Sequence, residues 1–335
     1  MKKILVVGNY KWDIYEEALI NGFRLNNVDT FKYIFPTFSF KNKIFKFLLL
    51  RKYNKNLEKA VYENNINVLF IYRCNEIFGS TLKALKNINP NLKILIYHND
   101  NPFVNIKTRI KYFLFINAIK YSDIAYAYRP NNLTDLKNSR ALNPKLLYPH
   151  YYTKNDLVKE IEFEKKSIDI VFIGHYEPNR SKTLNYLIKN EIKVKIFGSK
   201  NQWNIAIDEY NWDNDVISEP VYGEDYKKTI NKSFLSLCFL SRINEDVYTR
   251  RNFEIPAAGS LCVSEYSDEL CKIFKEDKEI ILFKNDEELL NKVKILLENK
   301  DEIFKSTFNV HSKLKDGLHS EYDRAQQIIK DIDRI

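Results

Sequence analysis

The sequence is poor in the residues that form disulfides, metal centres and membrane spans. It has only 4 cysteines in 335 residues, with no Cys-x-x-Cys pair and no histidine at metal-ligand spacing. This pattern favours free thiols in a reducing compartment. No apolar run approaches the roughly 18 residues that a transmembrane helix needs. The first residues lead directly into a strand-like run instead of a signal peptide, so we expect a cytoplasmic protein.

Glycine is also scarce, with 8 residues in the chain. The first predicted strand ends in the turn Gly8–Trp12, which lacks the Gly-x-Gly-x-x-Gly spacing of dinucleotide-binding proteins. The chain also has no internal repeat and no low-complexity tract. The sequence therefore gives no sign of a dinucleotide cofactor or of a repeat architecture.

Acidic residues are scarce in the first half of the chain. Residues 1–150 contain 24 Lys and Arg against 10 Asp and Glu, a balance of +14, and because the whole chain has +9 the remainder carries −5. A basic half of this kind can serve nucleic acid, an anionic membrane face or an anionic acceptor.

The chain is too long for one ordinary core and suits two domains. Short apolar runs, such as the predicted strand Val68–Tyr72, alternate with amphipathic helical patterns, such as the long helix predicted near Ile106–Tyr121. This alternation is typical of a parallel sheet covered on both faces. We predict a first α/β domain over 1–150, a polar linker over 151–167, a second α/β domain over 168–312 and a C-terminal helix over 313–335.

One stretch, Asp246–Glu265, combines charge with clear helix signals. Arg250 and Arg251 precede Glu254 on a predicted helix that ends at Gly259 and leads into a buried strand. Two arginines at a helix start oppose the helix dipole unless an anion lies nearby, and a carboxylate one turn later can accept two sugar hydroxyls. The alternative is a surface helix with a chance Arg-Arg pair.

The segment Arg251–Gly259 resembles the signature of the CgeB-like glycosyltransferases, relatives of the family-4 retaining enzymes. The resemblance implies the GT-B fold, an α/β architecture of two Rossmann-like domains that face each other across a cleft. It also implies two acidic residues eight positions apart: Glu254 would bind the nucleotide ribose, and Asp246, where many relatives have Glu, would face the donor sugar. The resemblance extends at lower strength over most of the chain, through Phe172–Gly174 with Arg180 and through Ile196–Gly198.

The resemblance assigns further donor-binding roles in the second half. Arg180 would contact the donor diphosphate, and Tyr222 lies where relatives hold the nucleotide base. From the residues alone, Gly174 to Arg180 is a strand–loop–helix with a cation at the helix start, either a phosphate site or a loop with a solvated arginine. Gly198 either lets backbone approach the nucleotide or forms a plain turn. The predicted donor-side residues are Gly174, Arg180, Gly198, Tyr222, Arg250, Arg251, Glu254 and Gly259.

In the first half, His98 and Asp100 follow a predicted strand at the edge where ligands bind in such sheets. Either can orient an acceptor hydroxyl, or act as a base if the enzyme inverts the sugar configuration. An Asn/Asp turn before proline is also ordinary loop chemistry. Together with Asp246 these are the predicted catalytic residues, and Asn9, Tyr10 and Trp12 in the first loop are predicted to line the acceptor side.

The segment Phe38–Lys55 mixes aromatic and aliphatic residues with lysines and arginines. Such a stretch can lie on an anionic bilayer. The alternative is an ordinary helix whose apolar face belongs to the core of the first domain.

We therefore predict a glycosyltransferase of the hexosyltransferase type, active in polysaccharide biosynthesis. It would move a sugar from a UDP-sugar to a hydroxyl of a glycan, lipid-linked or protein acceptor. The resemblance implies retention of configuration and no metal or other cofactor. We expect it in the cytoplasm, with peripheral contact to the inner face of the membrane. The alternatives are a nucleotide-sugar epimerase or hydrolase on the same fold, and a basic nucleic-acid-binding protein, which no helix-turn-helix or zinc motif supports.

Overall fold

The computed structural model describes residues 2–36, 43–213 and 215–335. The chain forms two compact units. Unit 1 comprises Met1–Pro149, Ile243–Glu245 and His319–Ile335, and unit 2 comprises His150–Arg242 and Asp246–Leu318.

Unit 1 is built around a six-stranded parallel sheet with the strand order β2-β1-β3-β4-β5-β6. Its strands are β1 (Lys3–Gly8), β2 (Asp29–Ile34), β3 (Val68–Tyr72), β4 (Lys93–His98), β5 (Ile124–Ala127) and β6 (Pro144–Leu146). Its first helices are α1 (Glu16–Leu25), α2 (Lys43–Glu63), α3 (Gly79–Ile88), α4 (Ile106–Lys111), α5 (Phe113–Ile119) and α6 (Asn132–Asn138).

The strands of unit 1 are apolar on both faces because helices cover both. Leu5 and Val7 of β1 belong to one core with residues of α2, α3, α5 and α6. On the opposite face, Phe23 of α1 meets Phe70 of β3 edge-on, with ring centroids 6.3 Å apart. This two-sided burial explains why the strands are continuous apolar runs and do not alternate with polar residues.

Unit 2 repeats this architecture, with the strand order β12-β11-β10-β7-β8-β9 and parallel pairing throughout. Its strands are β7 (Ile168–Ile173), β8 (Val194–Phe197), β9 (Ile217–Ser218), β10 (Ser233–Cys238), β11 (Leu261–Glu265) and β12 (Ile281–Phe283). Its helices are α7 (Thr153–Asp156), α8 (Pro178–Lys189), α9 (Lys200–Tyr210), α10 (Gly223–Asn231), α11 (Arg251–Ala257), α12 (Asp268–Ile273), α13 (Asp286–Glu298) and α14 (Lys300–Lys315), with a 3₁₀ turn at Phe163–Lys165.

Each sheet has a topological switch point, the place where the strand order reverses. The connections from the two strands that meet there run in opposite directions across the sheet. In unit 1 the switch lies between β1 and β3, and in unit 2 it lies between β7 and β10. Open parallel sheets bind ligands outside the carboxyl ends of the strands at such points. The loops that follow these four strands are therefore where functional residues are expected.

The last helix, α15 (Glu321–Ile332), belongs to unit 1 and packs on α1. The approach is close, since a Cβ added at Gly22 would lie 2.2 Å from the Glu321 carbonyl oxygen. Ser320 and Asp323 form a reciprocal capping box at its start. Residues 313–335, predicted as one C-terminal helix, thus contain the end of α14 and the separate helix α15.

The segment predicted as a linker, residues 151–167, is part of unit 2 and includes α7. Elsewhere the predicted helix over 106–121 ends and restarts around Tyr112, and β9 has only two residues and was not predicted. Among the described residues no helix is both long enough and apolar enough to cross a bilayer.

Candidate functional site

The predicted helix around Glu254 exists as α11, a seven-residue helix between β10 and β11. It begins at Arg251 and ends as predicted, because Gly259 adopts a left-handed conformation with φ of +81° just after the C-cap. Since α11 follows the carboxyl end of β10, its first turn lies beside the switch point of unit 2.

Glu254 is buried in a network of protein partners. It accepts a hydrogen bond of 2.6 Å from the Tyr226 hydroxyl through Oε1, and its Oε2 is paired with Arg250. Arg250 is also paired with Asp156 of α7. Because Asp156, Arg250 and Glu254 are each at most 9 % exposed, this ionic triad holds the Glu254 side chain in one place.

Arg250, predicted to bind the donor, already pairs with the two carboxylates of Asp156 and Glu254, and its role toward the donor stays a prediction. Burial raises the pKa of Tyr226 to about 12, so this hydroxyl remains protonated and donates to Glu254 at neutral pH. Sequence reasoning missed Tyr226 and Asp156, which lie 28 and 98 residues from Glu254 along the chain.

Arg251 connects the start of α11 to the end of β7. One of its guanidinium nitrogens donates to the Ile173 carbonyl oxygen. At the next residue, a Cβ added to Gly174 would lie 3.4 Å from that nitrogen and 2.6 Å from the Phe172 ring. Position 174 therefore has little room for a side chain, because Phe172 and Arg251 crowd it from two sides.

Arg180 lies in the first turn of α8, after the loop that follows β7. It is 6 % exposed, and its Nη2 lies 2.7 Å from Oε1 of Glu177. Its Nη1 lies 3.2 Å from Nε2 of His175, while its buried Nε has no hydrogen-bond partner. Burial lowers the pKa of Arg180, Glu177 opposes this shift, and the nearby charge of Arg251 adds to it.

Two arginines thus lie within electrostatic reach of each other at the carboxyl ends of β7 and β10. Like charges repel, and a buried guanidinium nitrogen without an acceptor is costly. Both penalties are relieved when an anion occupies this edge of the sheet. The arrangement can therefore bind an anionic group beside the fixed carboxylate of Glu254.

The other predicted donor-side glycines have mainly structural surroundings. A Cβ added at Gly198 would lie 2.4 Å from the Gly174 carbonyl oxygen and 2.4 Å from Nε1 of Trp203. Gly259 lies at the far end of α11, where its carbonyl oxygen accepts a 2.7 Å hydrogen bond from Nζ of Lys166. The structure does not bring Gly259 together with the arginines.

Two further predicted residues lie at the margins of this arrangement. Tyr222 is 64 % exposed and forms the N-cap of α10. Asp246 is half-buried in the loop between β10 and α11, where its backbone N–H donates to the Ser241 carbonyl oxygen at 2.9 Å. Their roles with the base and the donor sugar stay predictions.

In unit 1, His98 is the last residue of β4 and Asp100 lies two residues beyond it, at the carboxyl edge of the sheet where both were predicted. Nδ1 of His98 accepts a 3.0 Å hydrogen bond from the Asp100 backbone N–H, so a neutral His98 carries its proton on Nε2. Asp100 accepts a 3.1 Å hydrogen bond from the Tyr112 hydroxyl. Burial lowers the pKa of His98 to about 4, against the opposing effect of Asp100.

The first loop of unit 1 contains Asn9, Tyr10 and Trp12 at the carboxyl end of β1. The Tyr10 side chain turns back, and its hydroxyl donates to the Val6 carbonyl oxygen at 2.7 Å. The Asn9 backbone N–H donates to Oε1 of Glu16 at 3.2 Å. Trp12 is 43 % exposed, so of these three residues it offers the largest accessible apolar surface.

Sequence reasoning missed two charged residues at the switch point of unit 1. Glu16 is fully buried at the start of α1, and its Oε2 has no hydrogen-bond partner. Arg73 follows β3 in a left-handed conformation with φ of +52°, stacks over the Tyr15 ring at 4.2 Å and has a buried Nη1 without a partner. Burial raises the pKa of Glu16, while the charge of Arg73 lowers it. For Arg73 the sequence offered one signal, a charged residue directly after an apolar strand.

Residues 180–330 match the family model described as glycosyl transferase-like. The match confirms the predicted enzyme class at this general level, whereas the narrower resemblance to CgeB-like enzymes is not confirmed. No curated protein sequence matches the chain significantly.

Solved structures similar to this chain confirm the predicted GT-B fold. Sucrose-phosphate synthase from Thermosynechococcus elongatus is 11% identical with a TM-score of 0.69, and the match covers 98% of each chain. Anabaena HepE in complex with UDP-glucose is 11% identical with a TM-score of 0.68, covering 100% of both chains. A Listeria monocytogenes protein described as a UDP-N-acetylglucosamine 2-epimerase is 10% identical with a TM-score of 0.61, covering 98% of this chain and 95% of the other.

Proposed function

We propose that this glycosyltransferase transfers a sugar from a UDP-sugar to an acceptor hydroxyl. The observation that carries the proposal is the pair Arg180 and Arg251 at the switch point of unit 2, next to the fixed carboxylate of Glu254. In this proposal the two arginines bind the diphosphate and neutralise the charge that develops on it as the sugar leaves.

Glu254 would bind the ribose of the nucleotide. An ionised carboxylate offers about four lone-pair sites, and Tyr226 and Arg250 each occupy one. The remaining sites can accept the two ribose hydroxyls. The similarity to HepE, whose structure contains UDP-glucose, supports UDP as the nucleotide.

On the acceptor side, Asp100 suits proton transfer better than His98. A neutral imidazole with a pKa near 4 takes up a proton weakly at neutral pH, and its Nδ1 already accepts a hydrogen bond. Asp100 is half-buried and is oriented by Tyr112. We propose that Asp100 orients the acceptor hydroxyl and that Asp246 contacts the donor sugar.

Transfer without a metal, retention of configuration and a role in polysaccharide biosynthesis at the cytoplasmic membrane face remain part of this proposal. Among the described residues no group of three His, Cys, Asp or Glu side chains is arranged to hold a metal ion. The positive arginine side chains supply the charge that a metal would otherwise contribute at a leaving diphosphate.

A nucleotide-sugar epimerase is the second candidate, because a protein described as such an epimerase has a similar fold. The glycosyl transferase-like match over 180–330 favours transfer. The two candidates differ in whether a second substrate is needed.

The test has two steps. Thermal unfolding is first measured with UDP, UDP-sugars and uridine, and we expect the UDP compounds to raise Tm most, since a ligand stabilises the state that it binds. The stabilising UDP-sugar is then incubated with and without candidate hydroxyl acceptors. Acceptor-dependent release of UDP supports transfer, isomerisation of the sugar without an acceptor supports the epimerase, and no shift with any UDP compound contradicts the proposal.

A further inference from the structure

The first half of α2 exposes large apolar side chains that an ordinary core helix would bury. Ile44 is 75 % exposed, Phe45 50 %, Phe47 54 % and Leu48 56 %, whereas Leu50 is buried in the core. Of the predicted segment Phe38–Lys55, residues 38–42 lie outside the described part of the chain. In the first two turns of α2, Leu50 joins the core, whereas Ile44, Phe45, Phe47 and Leu48 are exposed.

The same turns of α2 are basic. Ile44, Leu48, Arg51 and Lys55 lie on one helix face at spacings of four and three residues, and Lys52 adjoins them. Arg51, Lys52 and Lys55 are all exposed. Residues 36–57 contain six Lys and Arg and no Asp or Glu, so no acid within this stretch neutralises the face.

The short helix α4 shows the same combination independently. It has no buried residue, and Ile106 is 76 % exposed and Ile110 71 % exposed. Lys107 and Lys111 are exposed beside them. Residues 101–122 contain four Lys and Arg and no acid, and of these cations Arg109 pairs with Asp135 of α6.

Topology places both elements on one side of unit 1. α2 follows β2 and α4 follows β4, and because the strands are parallel both helices start at the carboxyl edge of the sheet. α2 and α5, which continues from α4, contribute to the same core on one face of the sheet. Asn54 of α2 is bonded to the loop after β3, donating to the Glu76 carbonyl oxygen at 3.1 Å.

We propose that these parts of α2 and α4 form a surface that docks on an anionic lipid bilayer. This surface, the basic apolar edge, is defined by Ile44, Leu48, Arg51, Lys52, Ile106 and Ile110. Exposed aliphatic side chains can enter the interface of a bilayer while neighbouring cations contact anionic headgroups. The lack of acids over both stretches gives this charge complementarity, which an apolar protein partner would not require.

The inference also narrows the acceptor, a step that rests on the proposed function. His98, Asp100, Asn9 and Trp12 lie at the same carboxyl edge of the same sheet as the basic apolar edge. Docking through that edge therefore brings the proposed acceptor residues close to the headgroups. The fitting acceptor class is a hydroxyl compound linked to a lipid.

The test is co-sedimentation of the full chain with vesicles of phosphatidylcholine alone and with about one-third phosphatidylglycerol. We expect binding to the anionic vesicles only, with most of it lost in about 0.5 M NaCl because salt screens the charges. The variants Ile44→Ser/Leu48→Ser and Arg51→Gln/Lys52→Gln should each lower the bound fraction at least about fivefold.

The matched control is Phe304→Ser/Phe308→Ser, which removes two exposed apolar residues of α14 in unit 2, 41 % and 53 % exposed. This control should bind like wild type, and thermal unfolding checks that every variant is folded. Wild type remaining in the supernatant at low salt, or equal binding by all variants, would overturn the inference. Concentration-dependent self-association that the α2 variants abolish, without vesicle binding, would also overturn it and would assign the surface to a second copy of the chain.

UDP binding by the two α2 variants, Ile44→Ser/Leu48→Ser and Arg51→Gln/Lys52→Gln, separates this inference from the proposed function. Variants that lose vesicles but bind UDP normally support docking as a separate property. If the wild-type protein binds vesicles but does not bind UDP, the result supports docking and contradicts the proposed function.

Discussion

Tyr226 donates a 2.6 Å hydrogen bond to Glu254, the residue proposed to bind ribose. Glu254 is therefore positioned before any nucleotide arrives, with Arg250 on its other oxygen. Such preorganisation lowers the ordering cost of binding. It also means that substitutions at Glu254 affect folding as well as binding, because the carboxylate belongs to a buried ionic network.

Tyr226→Phe should lower the free energy of unfolding by about 1.5 kcal/mol, the usual contribution of a hydrogen bond to a charged group. Urea denaturation measures this change. The matched control is Tyr322→Phe, at a residue 38 % exposed on α15, for which we expect a change below about 0.5 kcal/mol. Equal effects of the two substitutions would mean that the bond to Glu254 adds no stability.

Gly198→Ala should destabilise the protein by about 3 kcal/mol, because the new methyl group meets a carbonyl oxygen and the Trp203 indole nitrogen. The substitution also disturbs the 3.0 Å hydrogen bond from Trp203 to the Gly174 carbonyl oxygen. Gly317→Ala is the comparison: no atom lies within 4 Å of its new Cβ, but its φ is +100°. It should cost only about 1 kcal/mol. A Gly198→Ala cost no larger than this would contradict the packing argument.

Protonation of His98 should lower the free energy of unfolding in mild acid. Burial holds its pKa at about 4 in the folded state, whereas an unfolded histidine titrates near 6.5. The unfolded chain therefore binds more protons between these values, and stability is lost as the pH falls from about 6.5 towards 4. From pH 7 to pH 5 the expected loss is about 2 kcal/mol.

Urea denaturation of wild type and His98→Asn at both pH values measures this contribution. Asn keeps an acceptor for the Asp100 backbone N–H but does not titrate. The variant should lose about 2 kcal/mol less than wild type over this interval. Identical pH dependence in the two proteins would show that His98 does not titrate as described.

Much of the fold could be predicted because the parallel strands are buried on both faces and appear as continuous apolar runs. β3, at Val68–Tyr72, matches its predicted bounds. The two-residue strand β9 could not be predicted, since Ile217–Ser218 is too short to show a pattern. The break at Tyr112 was also missed, because only this one residue separates α4 from α5 and the helical pattern of the sequence continues across it.

The site was predicted only where it is local in sequence. Arg251, Glu254 and Gly259 lie within nine residues, and helix signals relate them directly. Asp156 was hidden in a polar segment that lacks periodicity and was interpreted as a linker, although it pairs with Arg250. Contacts between residues far apart in sequence depend on the order of the strands in each sheet, and patterns in a single sequence do not determine that order.

The central claim is that Arg251 and Glu254 bind different parts of one nucleotide, and calorimetric titration with UDP and with uridine tests it most directly. Arg251→Ala should weaken UDP binding by about 1.5–3 kcal/mol, roughly tenfold to a hundredfold, and leave uridine binding unchanged, because uridine has no diphosphate. Glu254→Gln should weaken both ligands, because both carry the ribose, and unfolding measurements confirm that the variants are folded. Unchanged UDP affinity in folded Arg251→Ala, or equal losses for UDP and uridine, would contradict the account.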